Sequence, residues 1–225
     1  MPTSARWTAP AASPVASPLP SQRELITSDR GVLPGRPEVS YDLVLVGGVP
    51  GAGKTTAIAR AADDLAHVRA IDPEHVTWWL RQRLPRWVPY QAYRWLVHLL
   101  HTLRVLIHLL DGPRAGRQLV VHDPGTRRHR RSLFLRLAHL AGWRTVLLYI
   151  DVDRAAARSG QLQRGRVVRT FEEHWASWQH LRPALDVAAR TESVPDPVVL
   201  AERADAADVL RRLCDSDGVA QRNAA

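Results

Sequence analysis

From Gly48 to Thr55 the chain reads GVPGAGKT, a glycine, four residues, then glycine, lysine and threonine, and few folds can hold that spacing. Its neighbours narrow the choice. The run DLVLVG at Asp42–Gly47 is a short apolar stretch suited to a buried strand, and Thr55–Ala66 is alanine-rich and helical. A strand that feeds a glycine-rich loop and then a helix turns several N–H groups inward, with the partly positive helix end behind them. Such a loop cradles phosphate. Lys54 is the only lysine among 31 basic residues, and it stands where the pattern needs a mobile point charge.

The expected phosphate-contacting stretch is therefore Gly48, Pro50, Gly51, Ala52, Gly53, Lys54, Thr55 and Thr56. Lys54 is expected to reach the β and γ phosphates of ATP, and the Thr55 hydroxyl to ligate Mg²⁺. A magnesium–nucleotide site also needs a carboxylate at the end of an adjoining strand. Asp123 ends QLVVHD at Gln118–Asp123 and reads either as that metal carboxylate or as the N-cap of the helix opening near Thr126. Asp72 ends VRAID at Val68–Asp72 and reads either as the base for an attacking hydroxyl or as the cap of a helix beginning near Glu74.

Further strands are expected at Arg144–Val152 and Pro197–Glu202, with helices through Ala141, from Asp153 toward Gln163, from Phe171 to about Val187, and near Ala206–Leu213. Strands alternating with helices imply an α/β fold, a parallel sheet of five strands covered on both faces. Residues 1–38 hold seven of the sixteen prolines, with alanine and serine and no apolar period, and read as a disordered tail. Residues 39–214 form the expected domain, and 215–225 a flexible end. One cysteine, Cys214, excludes an internal disulfide, and no signal pattern follows Met1, so a cytoplasmic protein is expected.

The net charge of +9 admits an anionic partner but does not choose one. After the fourth strand, Arg154, Arg158, Arg164, Arg166 and Arg169 occur with Gly160 and Gly165 and no acid between Asp153 and Gln163 or beyond to Thr170. This segment reads as a lid hinged at its glycines, with Arg164 and Arg166 foremost, or as a solvated helix face. TRRHRR at Thr126–Arg131 lacks stacking aromatics, so a solvated face is favoured there over nucleic-acid binding. Neither HExxH nor a Cys/His cluster is present, which disfavours a transition-metal site.

Tyr90–Leu110 is long enough to span a bilayer, yet Arg94 and Arg104 lie inside it, at roughly 2.5–3.5 kcal/mol each on insertion scales. A buried or half-buried helix is expected, and no membrane partner. Arg94, His98, His101 and His108 fall within roughly 80° on its helical wheel. Arg94, His98 and His101 are thus acceptor candidates if the stripe faces a cleft, or core hydrogen-bonders if it does not.

Taken together, LVLVGGVPGAGKTT, AIDPEHV, VVHDPGTRRHRR and GQLQRGRVV resemble small P-loop kinases of the AAA-domain predicted kinase group, similar to zeta toxins, gluconate kinases and the kinase domain of polynucleotide kinase. The resemblance covers about Tyr41 to Leu213. It implies a P-loop NTPase sheet with an inserted helical acceptor region and an arginine-rich lid. By the same resemblance Gly51, Gly53, Lys54, Thr55 and Thr56 take nucleotide phosphates, Asp72 is the general base, Asp123 the Walker B acid, and Arg164 and Arg166 lid arginines. The family's Ser-Asp or Asp-Asp followed by arginine is replaced here by Ile71-Asp72-Pro73-Glu74-His75, which leaves the acceptor unnamed. A kinase acting on a small-molecule or nucleoside hydroxyl is the first expectation; a nucleotide-driven switch or ATPase without an acceptor is the alternative.

Overall fold

Every residue of β1 (Leu43–Gly47) is buried, because this strand is the middle of the sheet and meets apolar layers on both faces. The computed structural model describes residues 41–114, 117–123, 128–163, 170–190 and 196–214, all within the compact unit Val39–Ala225. The proposed tail, Arg164 and Arg166 lie outside the described residues.

From β1 the chain runs through α1 (Lys54–Asp64), β2 (Val68–Ile71), α2 (Pro73–Arg83), α3 (Tyr90–Leu110), β3 (Gln118–His122), α4 (Arg128–Leu140), β4 (Thr145–Asp151), α5 (Arg154–Leu162), α6 (Phe171–Arg190), β5 (Val198–Glu202) and α7 (Ala206–Cys214). The strands lie in the order β2-β3-β1-β4-β5, all parallel. The expected five-stranded α/β sheet is the observed one. Its central strands are continuous apolar runs, whereas edge strand β2 exposes Arg69 and edge strand β5 exposes Glu202, which blunts both edges.

The crossovers explain how the site forms. From β1 the chain skips one position to reach β2, and β3 returns between them; from β3 it skips β1 to reach β4. Direction thus reverses beside β1; over the sheet α1 packs with α7, and α3 packs with α4. The carboxyl ends of β1 and β3 flank the resulting crevice. Register pairs Val46 with His122, so the loop after β1 and the end of β3 are neighbours.

The main core packs Val105 and Leu109 of α3, Phe134 of α4, Trp178 of α6 and Leu210 of α7 against the sheet. A separate small cluster joins Val76 and Leu80 of α2 to Tyr93 and Val97 of α3. No helix among the described residues is long and apolar enough to cross a membrane.

Candidate functional site

The loop after β1 has the shape its sequence implies. Gly48, Gly51 and Gly53 adopt positive φ, and α1 opens at Lys54 with no side-chain cap and no acid in its first turn. A helix start of this kind suits an anion, which neither a capping side chain nor an acid opposes here. A Cβ on Gly51 would stand 2.1 Å from the carbonyl oxygen of Ala157, so even without the φ of 86° only glycine fits. Lys54 is buried, and its ammonium donates to the carbonyls of Gly48 at 2.7 Å and Val49 at 2.8 Å. A buried ammonium needs such partners, and here the loop supplies them.

Asp72 is buried and uses both carboxylate oxygens. Oδ1 accepts the Glu74 N–H at 2.7 Å and caps α2, which begins with Pro73; Oδ2 accepts His122 Nδ1–H, also at 2.7 Å. The cap and the site contact coexist in one side chain. Thr55 Oγ1 lies 3.4 Å from the same His122 nitrogen and also hydrogen-bonds Asp72. Burial works against the Asp72 charge, but the hydrogen bond and charge of His122, the Glu74 N–H and the Thr55 hydroxyl outweigh it. The carboxyl is held well below the usual carboxylate range.

Asp123, at the end of β3, is buried and accepts from Arg130 Nε at 2.7 Å and from Arg130 Nη2, while its N–H bonds the Val46 carbonyl at 3.0 Å. Arg130 belongs to the TRRHRR run that reads as a solvated face. Its side chain is mostly buried, since a carboxylate buried at the strand end draws the nearest guanidinium inward. Arg131 likewise donates to the Tyr149 hydroxyl at 3.2 Å.

His101 is 1% exposed, and its Nε2–H donates to the His122 carbonyl at 2.9 Å. Burial lowers its pKa to about 4, with the charges of His122 and Arg130 acting in the same direction. Arg94 and His98 are half-buried and pair with each other, Nε to Nε2, at 3.4 Å. Of the three, His101 bonds into the Asp72–His122 region.

Of the two expected hinge glycines, Gly165 lies outside the described residues. Gly160 sits inside α5, where a Cβ would come within 2.4 Å of the Gly51 carbonyl oxygen, so its role here is close packing on the loop. Gln161 Nε2 donates to the Pro50 carbonyl at 3.2 Å. Arg203, after β5, donates to the carbonyls of Ala52 at 3.2 Å, Ala156 at 3.0 Å, and Gly51. Arg154 and Arg158 pair with Glu172 at the start of α6.

His122, Arg130 and Arg203 are the residues that sequence reasoning missed. His122 carried a weak signal, standing beside Asp123 at a strand end; the arginines carried none. Among the described residues no group of three or more His, Cys, Asp or Glu is arranged to hold a metal by itself. Thr55 and the carboxylates are hard oxygen donors, the set that suits Mg²⁺ shared with phosphates.

No curated protein sequence matches this chain. Among solved structures it is similar to a gluconokinase from Sinorhizobium meliloti 1021 (15% identity, 82% of this chain, 95% of that one, TM-score 0.41). It is also similar to the PezAT chromosomal toxin–antitoxin system of Streptococcus pneumoniae (15%, 81% and 73%, 0.49) and to shikimate kinase from Acinetobacter baumannii (15%, 80% and 96%, 0.47). A family model described as AAA domain matches residues 43–185, from the first residue of β1 into α6. With the loop, the uncapped helix and the first four strands of the parallel sheet that this match spans, the chain belongs to the AAA domain family of P-loop proteins.

Proposed function

We propose that the chain is an ATP-dependent kinase that transfers the γ-phosphoryl group to a hydroxyl of a small-molecule or nucleoside acceptor. The observation that carries this reading is the uncapped start of α1, with Lys54 at its first position and the ionised Asp72 beside Thr55. Loop amides and Lys54 hold the phosphates, and the Lys54 ammonium exchanges its bonds to Gly48 and Val49 for phosphate oxygens. Thr55 and Asp123 would hold Mg²⁺, which screens phosphate charge when bound.

On the other side, Asp72 holds His122 by Nδ1, and this pair receives the acceptor's proton as the hydroxyl attacks. Arg164 and Arg166 remain the proposed lid arginines. A nucleotide switch would use the same pair to activate water, so the identity of the group that receives the phosphoryl separates the two readings.

The test is ATP turnover against sugars, antibiotics, nucleosides and oligonucleotide ends, with phosphorylated product identified by mass. An acceptor that stimulates turnover and gains a phosphoryl group supports the reading. Hydrolysis that no acceptor alters, with γ-phosphate released only to water, would replace it by the switch.

A further inference from the structure

From His75 to Leu110 the chain contains no aspartate or glutamate, but it carries five arginines and four tryptophans. These tryptophans are outside the core. Trp87 is 82% exposed, Trp95 66%, Trp78 65% and Trp79 44%. On α3 the exposed ridge continues from Trp95 at four-residue spacing through Leu99, Leu103 and Ile107, while Tyr93, Val97, His101, Val105 and Leu109 form the buried ridge opposite. Scattered exposed apolar residues are ordinary; an aligned ridge headed by an exposed tryptophan marks a contact surface. Arg81, Arg83 and Arg86 are exposed, and the Arg83 guanidinium lies 4.1 Å over the Trp79 ring.

Charge selects the occupant. A second copy of the chain would set arginine against arginine, with no acid in the segment to answer it. Residues 1–40 carry Arg6, Arg23, Arg30 and Arg36 against Glu24, Asp29 and Glu38, so they offer no net negative charge either. The partner must be anionic, and Leu99, Leu103 and Ile107 must meet hydrocarbon, which a nucleic acid does not offer.

We propose that the α2–α3 hairpin seats on an anionic phospholipid surface. Trp87, Trp95, Leu99, Leu103 and Ile107 enter the boundary between headgroups and acyl chains, and the exposed arginines before and in the α2–α3 turn, Arg81, Arg83 and Arg86, meet lipid phosphates. The expectation of no membrane partner rested on the cost of carrying Arg94 and Arg104 through a bilayer. Lying on the surface leaves arginine at headgroup level and incurs no such cost. The inference is independent of phosphoryl transfer.

Flotation of the full chain with phosphatidylcholine–phosphatidylglycerol vesicles tests it, against vesicles of phosphatidylcholine alone. The expected result is recovery with the anionic vesicles only, weakened by added salt, with tryptophan emission shifted to the blue and quenched by brominated acyl chains. Trp87→Ser with Trp95→Ser should lower vesicle affinity roughly tenfold or more. Arg81→Gln, Arg83→Gln and Arg86→Gln should each lower it about fivefold. Thermal unfolding of each variant checks the fold, and quenching of the unaltered chain decides the matter if a variant fails that check. Failure to float, flotation indifferent to lipid charge, or a stable dimer that requires Trp95 would overturn the proposal. So would tighter binding to a single-stranded oligonucleotide than to anionic vesicles, which would assign the surface to nucleic acid.

Discussion

His122 Nδ1 donates to Asp72 Oδ2 over 2.7 Å, joining two residues fifty positions apart at the ends of neighbouring strands. Asp72 also caps α2, so the carboxylate that starts a helix is the one that orients the imidazole. The two duties can be separated by substitution.

Asp72→Asn keeps an oxygen for the Glu74 N–H but removes the charge that holds His122. Turnover should fall about 10²–10⁴-fold, with ATP affinity by calorimetry little changed and the melting temperature near that of the unaltered chain. Asp72→Ala should lose in addition about 1 kcal/mol of stability with the cap. Wild-type turnover in Asp72→Asn would remove this carboxylate from the chemistry.

Lys54→Ala should abolish most ATP turnover, by about 10²-fold or more, because no other lysine exists to substitute for its charge. The loop carbonyls of Gly48 and Val49 lose a donor, so a stability loss of about 1–3 kcal/mol should accompany it in urea unfolding. ATP that binds and turns over normally in this variant would contradict the phosphate role.

Arg130→Ala leaves the buried Asp123 carboxylate without its guanidinium and should destabilise the fold by about 3–5 kcal/mol. Asp123→Asn avoids that unpaired charge and should cost less. Its signature is a raised Mg²⁺ requirement for turnover, read from a magnesium titration. Equal magnesium dependence in Asp123→Asn and Asp72→Asn would show that the two carboxylates do not divide the work.

Gly160→Ala should act on the loop through packing. The added methyl meets the Gly51 carbonyl oxygen at 2.4 Å, a backbone atom that cannot yield cheaply, so a cost of about 1–3 kcal/mol and weaker ATP binding are expected. A hinge glycine would show the opposite pattern, with intact affinity and altered closure kinetics by stopped-flow.

His101 predicts a pH effect. Its pKa is about 4 in the folded chain, below the ordinary 6.5, so between those values the unfolded chain binds the extra proton. Stability is fully present above about pH 6.5 and is lost as pH falls toward 4, by about 3 kcal/mol in total. Asp72, whose pKa is lowered from its own ordinary 3.8, adds a loss only at still lower pH. Urea unfolding near pH 7 and near pH 5 should show the difference, and His101→Gln should flatten it. An unchanged slope in that variant would assign the acid sensitivity to other groups.

The sequence by itself determined the loop from Gly48 to Thr55, the five strands and the place of Asp72 and Asp123 at strand ends. Those properties are local: glycine spacing, apolar runs and the position where each run stops. Tertiary structure decided what the side chains do. Asp72 faces His122 because β3 inserts between β2 and β1, a strand order that no local pattern encodes. Arg130 looks like its neighbours in an arginine-rich run until a buried carboxylate separates it from them. Arg203 reaches the loop from the far side of the sheet, across 151 residues of chain to Ala52, and its partners are backbone carbonyls, which leave no trace in sequence. Gly160 reads as a flexible point in one dimension and as a packing contact in three, because absence of a side chain serves either purpose.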